Sequence, residues 1–130
     1  MIQKYRLWDK LNEEMHEVHM IDFYENVIRC YKDDMATNTQ EIYEFDMADD
    51  KDTFIIMPLM NLKDMYGDDV YAHDIIWDDH DDEFGVVKYD EVDAEFIIEW
   101  ETHKESLSER IDILEVFGNI HEHSYLLENN

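Results

Sequence analysis

The sequence predicts a mainly β, β-rich α+β fold: an N-terminal antiparallel meander over residues 1–51, then a set of five strands within residues 52–130. Two observations carry this. Apolar and polar residues alternate at period two in segment after segment, and helical periodicity is scarce. The composition also supplies a core. The chain is 45% hydrophobic and 13% aromatic despite 35 Asp+Glu against 10 Lys+Arg and a net charge of −25, whereas disordered acidic chains lack aromatic and β-branched residues.

In chain order, Lys4–Trp8, Glu14–Phe23 and Val27–Tyr31 read as three strands, with turns at Asp9–Glu13 and Glu25-Asn26. Residues 33–40 and 46–52 read as exposed loops, and Thr53–Leu59 as a short strand ended by Pro58, which lacks a ladder donor. Val70–Trp77 carries Tyr71, Ile75 and Trp77 on one face. Phe84–Tyr89 and Ala94–Trp100 form a hairpin about Asp90–Asp93, with Phe96, Ile98 and Trp100 opposite Glu95 and Glu99. Ile113–Ile120 is the last strand, where Gly118 marks a bulge or a close approach. The expected core of this half is Ile75, Val86, Phe96, Ile98, Trp100, Val116 and Ile120. Thr102–Glu105 fits a capping box, so one or two helical turns are expected over Ser106–Arg110, and Ile120–Leu127 closes with a short turn.

Charge is uneven. Residues 52–101 hold 16 acids and 2 bases, against 13 and 6 in residues 1–51. Such a chain repels nucleic acid, so no direct nucleic-acid binding is expected. Averaged over roughly 7,300 Å² of surface, the net charge falls below the density of B-DNA, about one charge per 100 Å². No apolar run approaches the length of a membrane span, and no secretory signal is visible at the N-terminus. A single cysteine, Cys30, makes no internal disulfide, which suits a reducing cytoplasm.

The run Asp78-Asp79-His80-Asp81-Asp82-Glu83 is the sharpest local feature. An EF-hand register started at Asp79 puts Phe84 where a glycine is required and Asp90 where the bidentate glutamate belongs. The run therefore reads as a solvated hairpin loop. His16/His19 sit on opposite faces of a strand and His121/His123 on one, which without cysteine partners makes no zinc site. Adjacent His73 and Asp74 point opposite ways, and Cys30 lies in an apolar stretch as a buried, inert thiol. No nucleophile elbow, phosphate-binding loop or dinucleotide fingerprint is present. No catalytic residue, metal or cofactor is expected. The candidate interaction surface is Trp77, Asp78, Asp79, Asp81, Asp82 and Glu83.

Five segments in order resemble the YopX-like proteins of phages and prophages: Tyr5-Arg6-Leu7-Trp8-Asp9; Asn61-Leu62-Lys63-Asp64-Met65-Tyr66-Gly67; Val70–Ile76; Gly85–Asp90; and Glu115–Glu122 with Leu126-Leu127. Asn61 stands where the family usually has Gly, Ala72-His73 where it has Glu-Gly, and His123-Ser124 replaces an Asn-Pro type of turn. The resemblance implies a β-rich fold whose C-terminal part, residues 52–130, is similar to a small SH3-like barrel, and no settled activity. Two functions follow as expectations. The first is a non-catalytic phage or prophage accessory protein that binds a host or phage protein with a basic surface, or a second copy of itself in a homo-oligomer, away from any membrane. The alternative is an acidic DNA mimic that inhibits a nucleic-acid-binding protein.

Overall fold

The computed structural model describes residues 2–128, the side chains of 50 and 51 excepted. It is 54% strand and 13% helix, with antiparallel sheets. Contacts divide the chain at Pro58/Leu59 into two compact units.

The first unit holds β1 (Tyr5–Asp9), β2 (Glu14–Glu17), β3 (Met20–Asp22), β4 (Val27–Asp34) and β5 (Thr39–Asp46). The second holds β7 (Asp69–Tyr71), β8 (Asp74–Asp78), β9 (Glu83–Asp90), β10 (Glu95–Glu99), β11 (Lys104–Ser106) and β12 (Glu115–Asn119). The strand between them, β6 (Phe54–Lys63), starts in the first unit and ends in the second.

Five hairpins share one plan. The closing pairs are Asp9↔Glu14, Asp22↔Val27, Asp34↔Thr39, Asp78↔Glu83 and Asp90↔Glu95, each spanning a four-residue loop. In every case the aspartate carboxylate accepts the backbone N–H two residues on, from Leu11, Tyr24, Ala36, His80 or Val92, at 2.9–3.0 Å. The last loop residue (Glu13, Asn26, Asn38, Asp82 or Ala94) takes a left-handed conformation with φ of 53–58°. The side chain thus mimics a backbone turn, and one left-handed residue closes the loop. A chain with only three glycines turns this way.

In the first unit β1 pairs with β2 and with Phe54–Pro58 of β6, while β3, β4 and β5 form a separate three-stranded sheet. The expected single strand Glu14–Phe23 breaks at Val18–His19. Val18 N–H donates to the Tyr5 carbonyl and His19 N–H to the Arg29 carbonyl, so the chain changes ladder there. A strand that switches sheets makes the corner of a two-sheet core, here Leu7, Ile28, Cys30 and Phe54. Residues 33–40 are exposed as expected, yet they are strand as well as turn, the tip of the β4–β5 hairpin. Residues 47–53 form short helical turns rather than a loop, a 3-10 turn at Met47–Asp49 followed by α1 (Asp50–Thr53). Pro58 does not end its strand. It lies opposite Tyr5, the first residue of β1, at the margin of the β1 ladder.

In the second unit the sheet order is β11-β10-β9-β8-β12, a sheet that curls into a half-barrel. The register sets its faces. Ile76↔Gly85 and Val87↔Ile98 put these residues on one face, and Ile75↔Val86 and Trp77↔Phe84 on the other. The first face meets Leu107, Ile111 and Leu114 in a core closed by Trp100 and Val70. Leu107 and Ile111 come from α2 (Leu107–Arg110) and the 3-10 turn Ile111–Ile113. Ile98 and Trp100 are therefore central as expected, whereas Phe96 and Val116 only flank this cluster and Ile120 is half-buried. Ile75 and Val86 are buried on the opposite face.

Two expectations about this unit's elements change. Val70–Trp77 is two strands, broken at Ala72-His73, where His73 has φ +71°. The capping box at Thr102 does not form. Lys104–Ser106 pairs with β10 instead, and Ser106 becomes the residue preceding α2. Gly118 lies at a register shift against β8, and a Cβ there would sit 2.5 Å from the His123 ring. Bulge and close approach coincide at this glycine. The last element among the described residues is α3 (Tyr125–Glu128).

Candidate interaction surface

The β8–β9 hairpin carries the predicted surface, and the structure divides the acidic run in two. Asp79, Asp81 and Asp82 occupy the exposed turn. Asp78 and Glu83 are instead the paired strand ends. Asp78 is only 4% exposed, so its place in a solvated loop is corrected. Its carboxylate accepts the N–H of His80 at 3.0 Å, and its other oxygen accepts from Arg110 Nη2 at 3.2 Å. Arg110 reaches Glu105 through Nη1, also at 3.2 Å. The turn N–H and the guanidinium replace hydrogen bonds to water that this carboxylate loses on burial. Glu83 is half-buried.

Trp77 lies beside the run, on the sheet face that also carries Ile75, Phe84 and Val86. Its ring meets Phe84 at a centroid distance of 4.6 Å and Phe117 at 6.0 Å, and Phe84 meets Phe117 at 5.5 Å. The spacings and tilted planes match favourable aromatic packing. Phe117 is the residue at the β12 register shift and remains 49% exposed. Trp77 also lines a cleft of about 690 Å³, with Met65, Ile113, Asp78, Asp79, Arg110 and Glu115. Met65 and Ile113 are half or more exposed. The volume falls in the small-molecule range, but such sites depend on convergent polar groups. Here Asp78 and Arg110 are engaged with each other.

Asp64, not singled out from the sequence, organises the neighbouring turn. Its two oxygens accept the N–H groups of Tyr66, Asp68 and Val116, all at 2.9 Å, and it is 5% exposed. It thereby ties the β6–β7 turn to β12 and fixes Met65 at the cleft. The Asp-x-x-Gly spacing to Gly67 (φ +82°) was the available signal. No comparable signal marked Phe117 or Arg110, because a strand pairing and an ion pair across 32 residues bring them in.

The remaining candidates separate. His73 Nδ1 and His121 Nε2 lie 3.0 Å apart, whereas His123 accepts the Asn119 N–H at 3.1 Å, so His121 and His123 turn to different partners. Among the described residues no group of three or more His, Cys, Asp or Glu is arranged to hold a metal ion. Cys30 is 1% exposed, and burial pushes its thiol up to about 11. No described helix is long and apolar enough to cross a membrane.

Comparison with solved structures finds protein EF1440 from Enterococcus faecalis, known from a crystal structure. It is 26% identical, with a TM-score of 0.64 over 98% of this chain and 99% of that one. No curated protein matches. The family model described as YopX protein matches residues 4–128, and the chain belongs to that family.

Proposed function

We propose that this chain is a non-catalytic protein-interaction module, an accessory protein of phage or prophage origin that docks through the β8–β9 hairpin. One observation supports this above the others: the Trp77–Phe84–Phe117 cluster keeps Phe117 half-exposed, and the hairpin that supplies Trp77 and Phe84 carries three solvated aspartates in its turn. Aromatic anchors carry binding energy at interfaces, and surrounding charges steer encounter. Working in the bacterial cytoplasm, the module engages a host or phage protein with a basic surface.

The test is capture of the partner by the tagged full chain from infected host cells, followed by titration of the purified partner. Phe117→Ala should weaken binding about thirtyfold, as expected for a hot-spot aromatic. Asp79→Asn/Asp81→Asn/Asp82→Asn should weaken it less than about tenfold and flatten its salt dependence, because exposed charges contribute about 1 kcal/mol or less each. The reverse ranking, together with competition by double-stranded DNA, would instead favour the DNA-mimic reading.

A further inference from the structure

Each described sheet has two edge strands, and all but one of these are short, at three to five residues. The exception is β5, which runs for eight residues, pairs with β4 without a register shift, and contains neither proline nor lysine. Natural sheets blunt such edges because their unpaired backbone groups recruit another strand. We infer that β5 pairs antiparallel with β5 of a second copy of this chain, about a two-fold axis at Ile42. The inference is independent of the β8–β9 surface that engages the partner protein.

Three observations converge. The first is the direction of the backbone. Tyr31 N–H donates to His19 Nδ1, and the Arg29 carbonyl accepts the His19 N–H, both at 3.0 Å. Tyr31 and Arg29 thus turn their backbone groups away from β5. Their opposites, Ile42 and Glu44, and by alternation Gln40, point their own N–H and C=O groups out from the sheet edge. The second is the side chain at the centre of that edge. Ile42 is 61% exposed, on the face opposite Tyr43 and Phe45, which pack against the core of the first unit. An axis there sets Ile42 against its own copy as an apolar cross-strand pair that exchanges both backbone bonds. The third is the charge register. With the axis at Ile42, Gln40 of one copy opposes Glu44 of the other, and Glu41 opposes Tyr43, so none of these carboxylates directly faces another. An axis at Glu41 or Glu44 would set that carboxylate against itself. Glu44 also carries its own cation, Arg29 at 2.8 Å. The three outward residues of each strand allow about six backbone bonds. Such an interface is small and holds weakly.

The experiment is sedimentation equilibrium of the full chain from about 10 μM to about 1 mM, the range of a weak interface, at low and high NaCl. The mass should rise from 15.8 kDa towards twice that value, and further at high salt, where repulsion between two chains of net charge −25 is screened. In the concentrated sample amide exchange should slow at Gln40, Ile42 and Glu44, and change little at Glu41, Tyr43 and Phe45, which already face β4. Ile42→Pro removes an outward donor without touching the β4 ladder and should abolish association. Gln40→Glu sets a carboxylate against Glu44 on both sides of the axis and should weaken it about tenfold. An unchanged melting midpoint of Gln40→Glu in dilute solution shows that its fold is intact. A single-chain mass across the range, association that falls with salt, slowed exchange at other residues only, or equal association by Ile42→Pro or by Gln40→Glu would overturn the inference.

Discussion

The two units turn their hairpins by the same device and anchor it differently. Asp9, Asp22 and Asp34 in the first unit serve their own loops; Asp9 adds a bond from the Asn12 side chain, three residues away. In the second unit Asp78 and Asp90 also bind cations far along the chain, Arg110 and Lys104. The Lys104 ammonium holds the Asp90 carboxyl below the usual carboxylate range. Local caps leave a hairpin free to project, and residues 32–42 are exposed throughout. Distant cations instead tie each turn to the 104–110 segment, whose Leu107 closes the core. Acidic residues in such a chain are therefore of two kinds, and the partner separates them where composition and burial do not: Asp9, a local cap, is 4% exposed, whereas Asp90, tied to Lys104, is half-buried.

This comparison can be broken at its strongest points first. Ile98→Ala and Leu7→Ala each empty a fully buried site and should cost roughly 2–5 kcal/mol. Hydrogen exchange should assign the first loss to residues beyond 59 and the second to those before it. Loss of protection throughout the chain in both variants would show that the units unfold as one.

Next in size is the hairpin contrast itself. Asp78→Ala removes the turn acceptor and strands the Arg110 guanidinium, a cost of about 2–3 kcal/mol, whereas Asp34→Ala at an exposed turn should cost about 1 kcal/mol or less. Equal costs in urea denaturation would remove the distinction between local and distant anchoring. A smaller effect, opposite in sign, is expected at Ala94, whose φ of +53° suits glycine better. Ala94→Gly should gain about 0.5–1 kcal/mol, after the entropic cost of glycine is subtracted. A loss would mean that the loop relaxes around alanine.

Cys30 reports on the first unit alone. With its thiol pushed up to about 11 by burial, the reactive thiolate is depleted below that pH, and alkylation at pH 8 should proceed only as the unit opens. A rate equal to that of a free thiol would place Cys30 at the surface. The smallest expected effect is a modest rise of the melting midpoint with NaCl between 0.01 and 0.1 M, as the Debye length falls from about 30 to 10 Å. A flat or falling curve would mean that local pairing outweighs the net repulsion.

What was legible in the sequence follows from the same physics. Alternation marks a strand with one buried face, and it located β8, β9 and β10. It is silent where neither face is buried, which is why the strand residues within 33–40 read as loop. It also misled at Ala72-His73, because a left-handed residue breaks a strand without breaking the pattern. Asn61 (φ +57°) and His73 (φ +71°) both occupy left-handed backbone positions that favour glycine. Trp77 and the exposed aspartates were visible from the sequence. The structural roles of Asp64 and Asp78 were not, since every carboxylate looks alike in a chain with 35 of them.

The central claim is that recognition belongs to the aromatic and acidic surface of the second unit, while the exposed hairpin of the first stands apart. Amide hydrogen exchange of the full chain, measured free and saturated with its captured partner, tests this most directly. The account predicts slowed exchange at residues 77–84 and 113–117, with residues 32–42 unchanged. Slowed exchange at 32–42, with 77–84 and 113–117 as in the free chain, would contradict it.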